Sequence, residues 1–106
     1  MTWRGLRNSG GDRGIMEKGI DPGTLEDLKE VGRFYLLHQR FKEAIESLKK
    51  ADESSDVPDP EVYYLLGMAY ESIRNYEEAR NYYEKALQYD KDFTLAKERL
   101  EKIVGK

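Results

Sequence analysis

Cysteine is absent from this chain. Without a thiol there is no disulfide framework, no thiolate nucleophile and no soft metal ligand. Histidine occurs once, at His38, and a lone imidazole cannot complete a zinc set or serve a nucleophile that is not there. At the end of a helix it reads as an exposed surface residue. No apolar run approaches the ~18 residues of a membrane span, and no signal-peptide core precedes a cleavage site. A basic excess is missing as well: 18 Lys and Arg face 21 Asp and Glu, for a formal charge of −3. With the signs interspersed, neither a basic stripe nor a basic amphipathic helix offers itself to nucleic acid or to an anionic membrane. No glycine loop follows a strand to cradle phosphate. Carboxylate pairs such as Glu77-Glu78 fall in the first turn of a helix and read as helix-end electrostatics. These absences predict a non-catalytic cytoplasmic domain with no cofactor and no metal site.

What the chain does contain is a repeat. Gly32 and Gly67, Tyr35 and Tyr70, Ala44 and Ala79, and Ala51 and Ala86 all stand 35 positions apart. Phe41 pairs with Tyr76, Val31 with Leu66, and Leu48 with Tyr83 at the same offset. Self-similarity at a fixed period of this length marks stacked helical units. Turn and cap residues predict five helices, over 24–38, 41–53, 60–73, 75–89 and 93–104. Thr24 with Asp27 reads as one N-cap, Asp59-Pro60-Glu61 as another, and Asn75 as a third. Asp92 or Phe93-Thr94 opens the last helix.

Helical spacing gives each repeated residue a packing role. Tyr63, Leu66, Gly67 and Tyr70 form one stripe of the third helix. Gly67 removes a side chain at the crossing, despite its cost of about 1 kcal/mol inside a helix. Ala79 and Ala86 are the small residues of the facing helix, and Tyr83 fills the space between them. Tyr35, Tyr76 and Tyr82 read as core aromatics too. The fifth helix keeps an inward stripe of Ala96, Leu100, Ile103 and Val104. Lys97 and Glu101, however, stand where Tyr63 and Gly67 stand in the third. That charged face predicts a solubilising cap rather than a seat for another helix.

The second copy, with Tyr63, Leu66-Gly67, Tyr70, Tyr76, Ala79, Tyr83 and Ala86, resembles the tetratricopeptide repeat, a helix–turn–helix of about 34 residues. The run from Tyr76 to Leu87 is similar to the second helix of that repeat almost letter for letter. The first copy is more distant, with Leu28 and Leu48 at aromatic positions. Asp56 and Lys91 replace the usual closing prolines, and one residue is inserted in the Ser54–Asp59 loop. The resemblance implies an all-α helical array, an α-α superhelix. Its repeats occupy 24–58 and 59–92, followed by a capping helix over 93–106. Residues 16–23 form a lead-in. Residues 1–15 hold four glycines and three arginines against one aspartate. They read either as a disordered basic tail or, in a bacterial gene, as a mis-assigned start ahead of Met16.

In function the resemblance implies an adaptor that binds a peptide segment of another protein in a concave groove lined by the first helix of each repeat. The groove residues expected on that basis are Lys29, Arg33, Leu36, Tyr64, Met68, Glu71, Leu95 and Arg99. Tyr64 and Met68 are the anchor types enriched at interface cores; the alternative is that they pack against Leu36 and Leu95. A carboxylate clamp of the chaperone-binding kind would use Lys29, Arg33, Leu65, Leu95 and Arg99, of which only Lys29 and Arg99 match. A mixed apolar and charged groove is therefore expected. The rival reading is a homo-oligomerising assembly module. Its interface would include Phe34, which faces outward on the first helix unless Ile15, Met16 and Ile20 fold over it.

Overall fold

The computed structural model describes residues 22–105. The expectations for residues 1–15 and for most of the 16–23 lead-in lie outside them. Five helices follow in order: α1 Pro22–Leu37, α2 Phe41–Ser54, α3 Pro60–Ser72, α4 Tyr76–Tyr89 and α5 Thr94–Ile103. Each packs against the next, and α1 also touches α3. Among the described residues no strand occurs.

Sequence spacing decides which faces are buried. In α2 the buried residues are Ala44, Leu48 and Ala51, and in α4 they are Ala79, Tyr83 and Ala86. The i, i+4, i+7 spacing is the same in both and lies on one helical face. In α3, Val62, Tyr63, Leu65, Leu66, Gly67 and Ala69 are all buried. A helix apolar around most of its circumference must be enclosed, and α3 is the central element, with α2, α4 and α1 against it. Tyr83, Leu48, Leu66 and Val62 are the largest fully buried side chains. Each apolar side chain of this size contributes roughly 1.5–3 kcal/mol by leaving water.

The glycines sit where helices cross. A Cβ built on Gly67 would stand 2.6 Å from the Tyr83 ring, and one on Gly32 would stand 2.6 Å from the Leu48 side chain. Leu48 and Tyr83 are themselves repeat equivalents, so both helical hairpins close by the same contact.

Both hairpins also turn alike. Arg40 N–H donates to Tyr35 O at 2.8 Å and Gln39 N–H to Leu36 O at 3.0 Å. Thirty-five residues on, Asn75 N–H donates to Tyr70 O and Arg74 N–H to Glu71 O, each at 2.9 Å. This paired 6→1 and 5→2 closure is the Schellman motif, which needs a left-handed residue just past the helix. Gln39 (φ 62°) and Arg74 (φ 66°) occupy that position without being glycine.

The helix starts agree with expectation at Asp59, whose side chain accepts from Glu61 N–H, and at Asn75, which accepts from Glu78 N–H. Others differ. Helix α1 begins at Pro22, so Thr24 lies inside its first turn rather than capping it. Of the two openings expected for α5, Phe93-Thr94 is the one found, with Phe93 as an N-cap that offers no side-chain acceptor. Val104 follows the end of α5 and is 66% exposed, whereas Ala96 and Ile103 are buried and Leu100 is half-buried. Lys97 and Glu101 are exposed as expected of a capping surface.

Candidate functional site: the α1–α3–α5 face

The first helices of the two repeats and α5 meet along two seams. At the α1–α3 seam, Lys29 Nζ lies 2.9 Å from Asp59 Oδ2 and 3.0 Å from Glu61 Oε1. Arg33 is ion-paired with Glu61 as well, and donates to Glu30 Oε2 at 2.9 Å. Burial alone would raise the Glu61 pKa, but the hydrogen bonds from Arg33 and Lys29 outweigh it and hold the carboxyl below its ordinary value. Burial likewise pulls Lys29 down, and its bonds to Asp59 and Glu61 carry it above the usual lysine value. Lys29 is only 7% exposed. It braces α1 to the start of α3 and does not project into an open groove.

Towards the other end of the same seam the chemistry changes. Arg33, Leu36, Leu37, Gln39, Phe41, Leu65, Met68 and Ser72 enclose a hollow of about 470 Å³. Most of its wall is aliphatic or aromatic, with the Arg33 guanidinium at one edge. Ser72 is committed, donating its hydroxyl to Met68 O at 2.9 Å. The hollow has the size of a small-ligand or side-chain pocket.

The α3–α5 seam inverts this arrangement. Glu71 Oε1 accepts from the Tyr83 hydroxyl at 2.8 Å and from Arg99 Nε at 3.2 Å, while Glu71 Oε2 accepts from Arg99 Nη2 at 2.5 Å. Burial, then the Glu71 contact, raises the pKa of the fully enclosed Tyr83. Tyr64 lies at the opposite end, its ring 5.1 Å from Phe93 and 6.0 Å from Tyr83. By repeat position, Leu36 corresponds to Glu71 and Leu65 to Arg99. The pair that is ionic in one seam is thus apolar in the other, and there the hollow opens.

Of the expected groove residues, Arg33, Leu36 and Met68 come together around the hollow. Glu71 and Arg99 neutralise each other, and Tyr64 is half-buried between aromatic neighbours. Leu95 is exposed and does not line the hollow. Gln39 and Phe41 line it although sequence reasoning did not place them in the groove, and Leu65, read there only as a clamp position, lines it too. Gln39 and Phe41 come from the turn and the start of α2, and Leu65 from the inward side of α3.

On the side of α3 facing α2 and α4, the tyrosines stack. Tyr70 and Tyr82 are parallel within 7° at 5.6 Å, and Tyr63 continues the stack at 6.3 Å from Tyr82. Lys85 Nζ lies 4.8 Å from the Tyr63 ring centre. The Tyr63 hydroxyl donates to Asp52 Oδ1 at 2.9 Å, and burial followed by that bond pushes its pKa up to about 12. These tyrosines are packing elements, and the Tyr63 hydroxyl is satisfied by Asp52. His38 is exposed, with its ring 4.3 Å from that of Phe34. Among the described residues no three His, Cys, Asp or Glu side chains are grouped to hold a metal ion. No helix there is long and apolar enough to cross a membrane.

Serially stacked helical hairpins with glycine crossings and matched turns define a helical-repeat array. Residues 60–93 match the tetratricopeptide repeat family. With that repeat at the centre of five helices, the match and the fold together fit a small repeat protein of the tetratricopeptide type. Proteins of this family generally take part in protein–protein interaction and are typically non-catalytic scaffolds. A search of curated proteins finds no match to the chain.

Proposed function

We propose that the protein is an adaptor that holds a segment of another polypeptide on its α1–α3–α5 face, with one large apolar side chain of that segment seated between Leu36, Leu65 and Met68. The observation carrying this reading is the hollow itself. It lies between the equivalent helices of successive units, and its floor is apolar where the next seam is closed by Glu71 and Arg99. Leu37 and Phe41 form its sides. The Arg33 fork at the rim keeps donors facing Glu30 and Glu61 and orients whatever lies beside it. Lys29, Glu71 and Arg99 hold the groove's shape, and they do so with charges already paired.

Selection from a displayed library of natural peptides tests this directly, using the wild-type protein and a Met68→Arg variant. The expected result is a set of peptides sharing one Leu, Met or Phe position, retained by wild type and lost by the variant while its helical signal and melting temperature hold. Equal enrichment on both proteins, or none on either, contradicts the reading.

A further inference from the structure

The outer face of α1 carries a second surface, which shares Leu37 with the edge of the hollow. Val31, Phe34 and Leu37 are 40%, 54% and 80% exposed. They follow one another at three-residue spacing, so they share one side of the helix. On the same helix, Glu26, Asp27 and Glu30 are exposed towards its start. His38, Arg40 and Lys42 are exposed just past its end. Glu26 is ion-paired with Lys29, Glu30 with Arg33 and Arg40 with Glu43. The stripe therefore runs from Asp27 and the outer edge of Glu30, through the apolar residues around Phe34, to His38 and Lys42.

We propose that this stripe is the interface of a two-fold symmetric dimer in which α1 packs antiparallel against α1 of a second copy. A two-fold axis through Phe34 brings the two Phe34 rings together and sets Val31 opposite the partner's Leu37. It also sets Glu30 and Asp27 of each chain beside the basic end of the other. A parallel pairing would put acid against acid and base against base, at a cost where such charges come close. Antiparallel helices also oppose their dipoles. An isologous contact closes on itself, so assembly stops at two. Sixteen residues of helix extend about 24 Å. Such a pair covers an area at the small end of specific interfaces, so a reversible, concentration-dependent dimer is expected.

Sedimentation equilibrium of the full chain tests the proposal, with three variants alongside the wild type. Phe34→Glu places a carboxylate on the axis at an exposed site, leaves the helical signal intact, and is expected to weaken dimerisation at least about 30-fold. Asp27→Lys/Glu30→Lys and His38→Glu/Lys42→Glu each place like charges at both ends of a homodimer, and each is expected to weaken it about 10-fold. Mixed in equal amounts, the two charge variants restore complementary charge at both ends and recover a heterodimer near wild-type strength. Weakening of both variant homodimers belongs to the antiparallel arrangement, because in a parallel pair each change would only exchange one like-charge contact for another. The recovery shows that the charged ends of the two helices face each other. A wild-type monomer at every concentration overturns the proposal; nuclear Overhauser contacts from Phe34 to Ile15, Met16 or Ile20 would then give the face to the chain's own amino-terminal segment. A dimer indifferent to Phe34→Glu, or a mixture that stays monomeric, overturns it as well.

Discussion

The Tyr83 ring lies directly beneath Gly67, so close that a single added methyl group on the glycine would stand 2.6 Å from Cε1. The ring cannot yield, because it is fully buried and its hydroxyl is tied to Glu71. Gly67→Ala is therefore expected to lower stability by about 2 kcal/mol, overpacking outweighing the gain in helix propensity. Gly32→Ala meets Leu48 Cδ2 and Cγ just as closely, but that side chain is not held by a hydrogen bond and can change rotamer, so the cost is expected to be smaller. Urea unfolding of the two variants checks both the sign and the order.

Gln39 and Arg74 predict the opposite response to glycine. Both are held left-handed at the ends of their helices, where a side chain costs about 1–2 kcal/mol. Part of any gain is offset by glycine's greater freedom in the unfolded chain. Gln39→Gly and Arg74→Gly are each expected to stabilise by about 0.5–1 kcal/mol, the balance of those two terms. The sites are distant enough for the gains to add. For a domain of this size, the double variant should melt several degrees higher.

The polar knot of Tyr83, Glu71 and Arg99 should behave as a unit. Tyr83→Phe removes one donor, at about 1 kcal/mol, and leaves the Arg99–Glu71 pair in place. Glu71→Ala strands the buried hydroxyl and Arg99 together and is expected to cost about 2 kcal/mol or more. Because the hydroxyl has lost its acceptor in the Glu71→Ala background, adding Tyr83→Phe there should cost little. A double-mutant cycle in urea measures this coupling.

Stability should fall at both extremes of pH, by different groups. Glu61 titrates below its ordinary value in the folded chain. Its contribution is present above the unfolded carboxylate pKa and is lost as acid takes the pH down through the lowered folded value. Tyr63, raised to about 12, and Lys29, also raised, act in the other direction. Their contributions are complete below about pH 10, the range of the free groups, and disappear as the pH rises through the folded values. Tyr63→Phe should flatten the alkaline side by about 3 kcal/mol at most, from a two-unit shift at 1.36 kcal/mol per unit. Thermal melts between pH 9 and pH 12 follow the loss.

Much of the fold could be read from spacing alone. The recurrence of Gly32 and Gly67 with Leu48 and Tyr83 placed the crossings, and Asp59 and Asn75 announced their caps. The groove was legible only as one side of a helical wheel. A wheel shows that Lys29 shares a side of α1 with Arg33. It cannot show that Asp59 and Glu61, thirty residues on, fold over the ammonium and enclose it. Nor does a wheel extend into a turn, which is why Gln39 and Phe41 escaped notice. The inversion between seams needs two different register shifts at once, since Leu36 maps to Glu71 across the inserted loop residue and Leu65 to Arg99 without it. Helix α1 starts before Thr24 for a simpler reason: Pro22 suits the first turn of a helix, and a threonine within that turn has the same sequence signature as a cap.

The measurement that most directly tests the central claim uses methyl-labelled methionine, of which the chain has three residues. Met68, the only methionine among the described residues, lines the hollow. Titrating a peptide recovered by the display selection should shift the Met68 methyl resonance saturably, at the same affinity as binding measured by calorimetry, and Leu65→Lys should abolish both. A peptide that binds while the Met68 methyl stays unmoved would place the binding surface elsewhere and contradict the account.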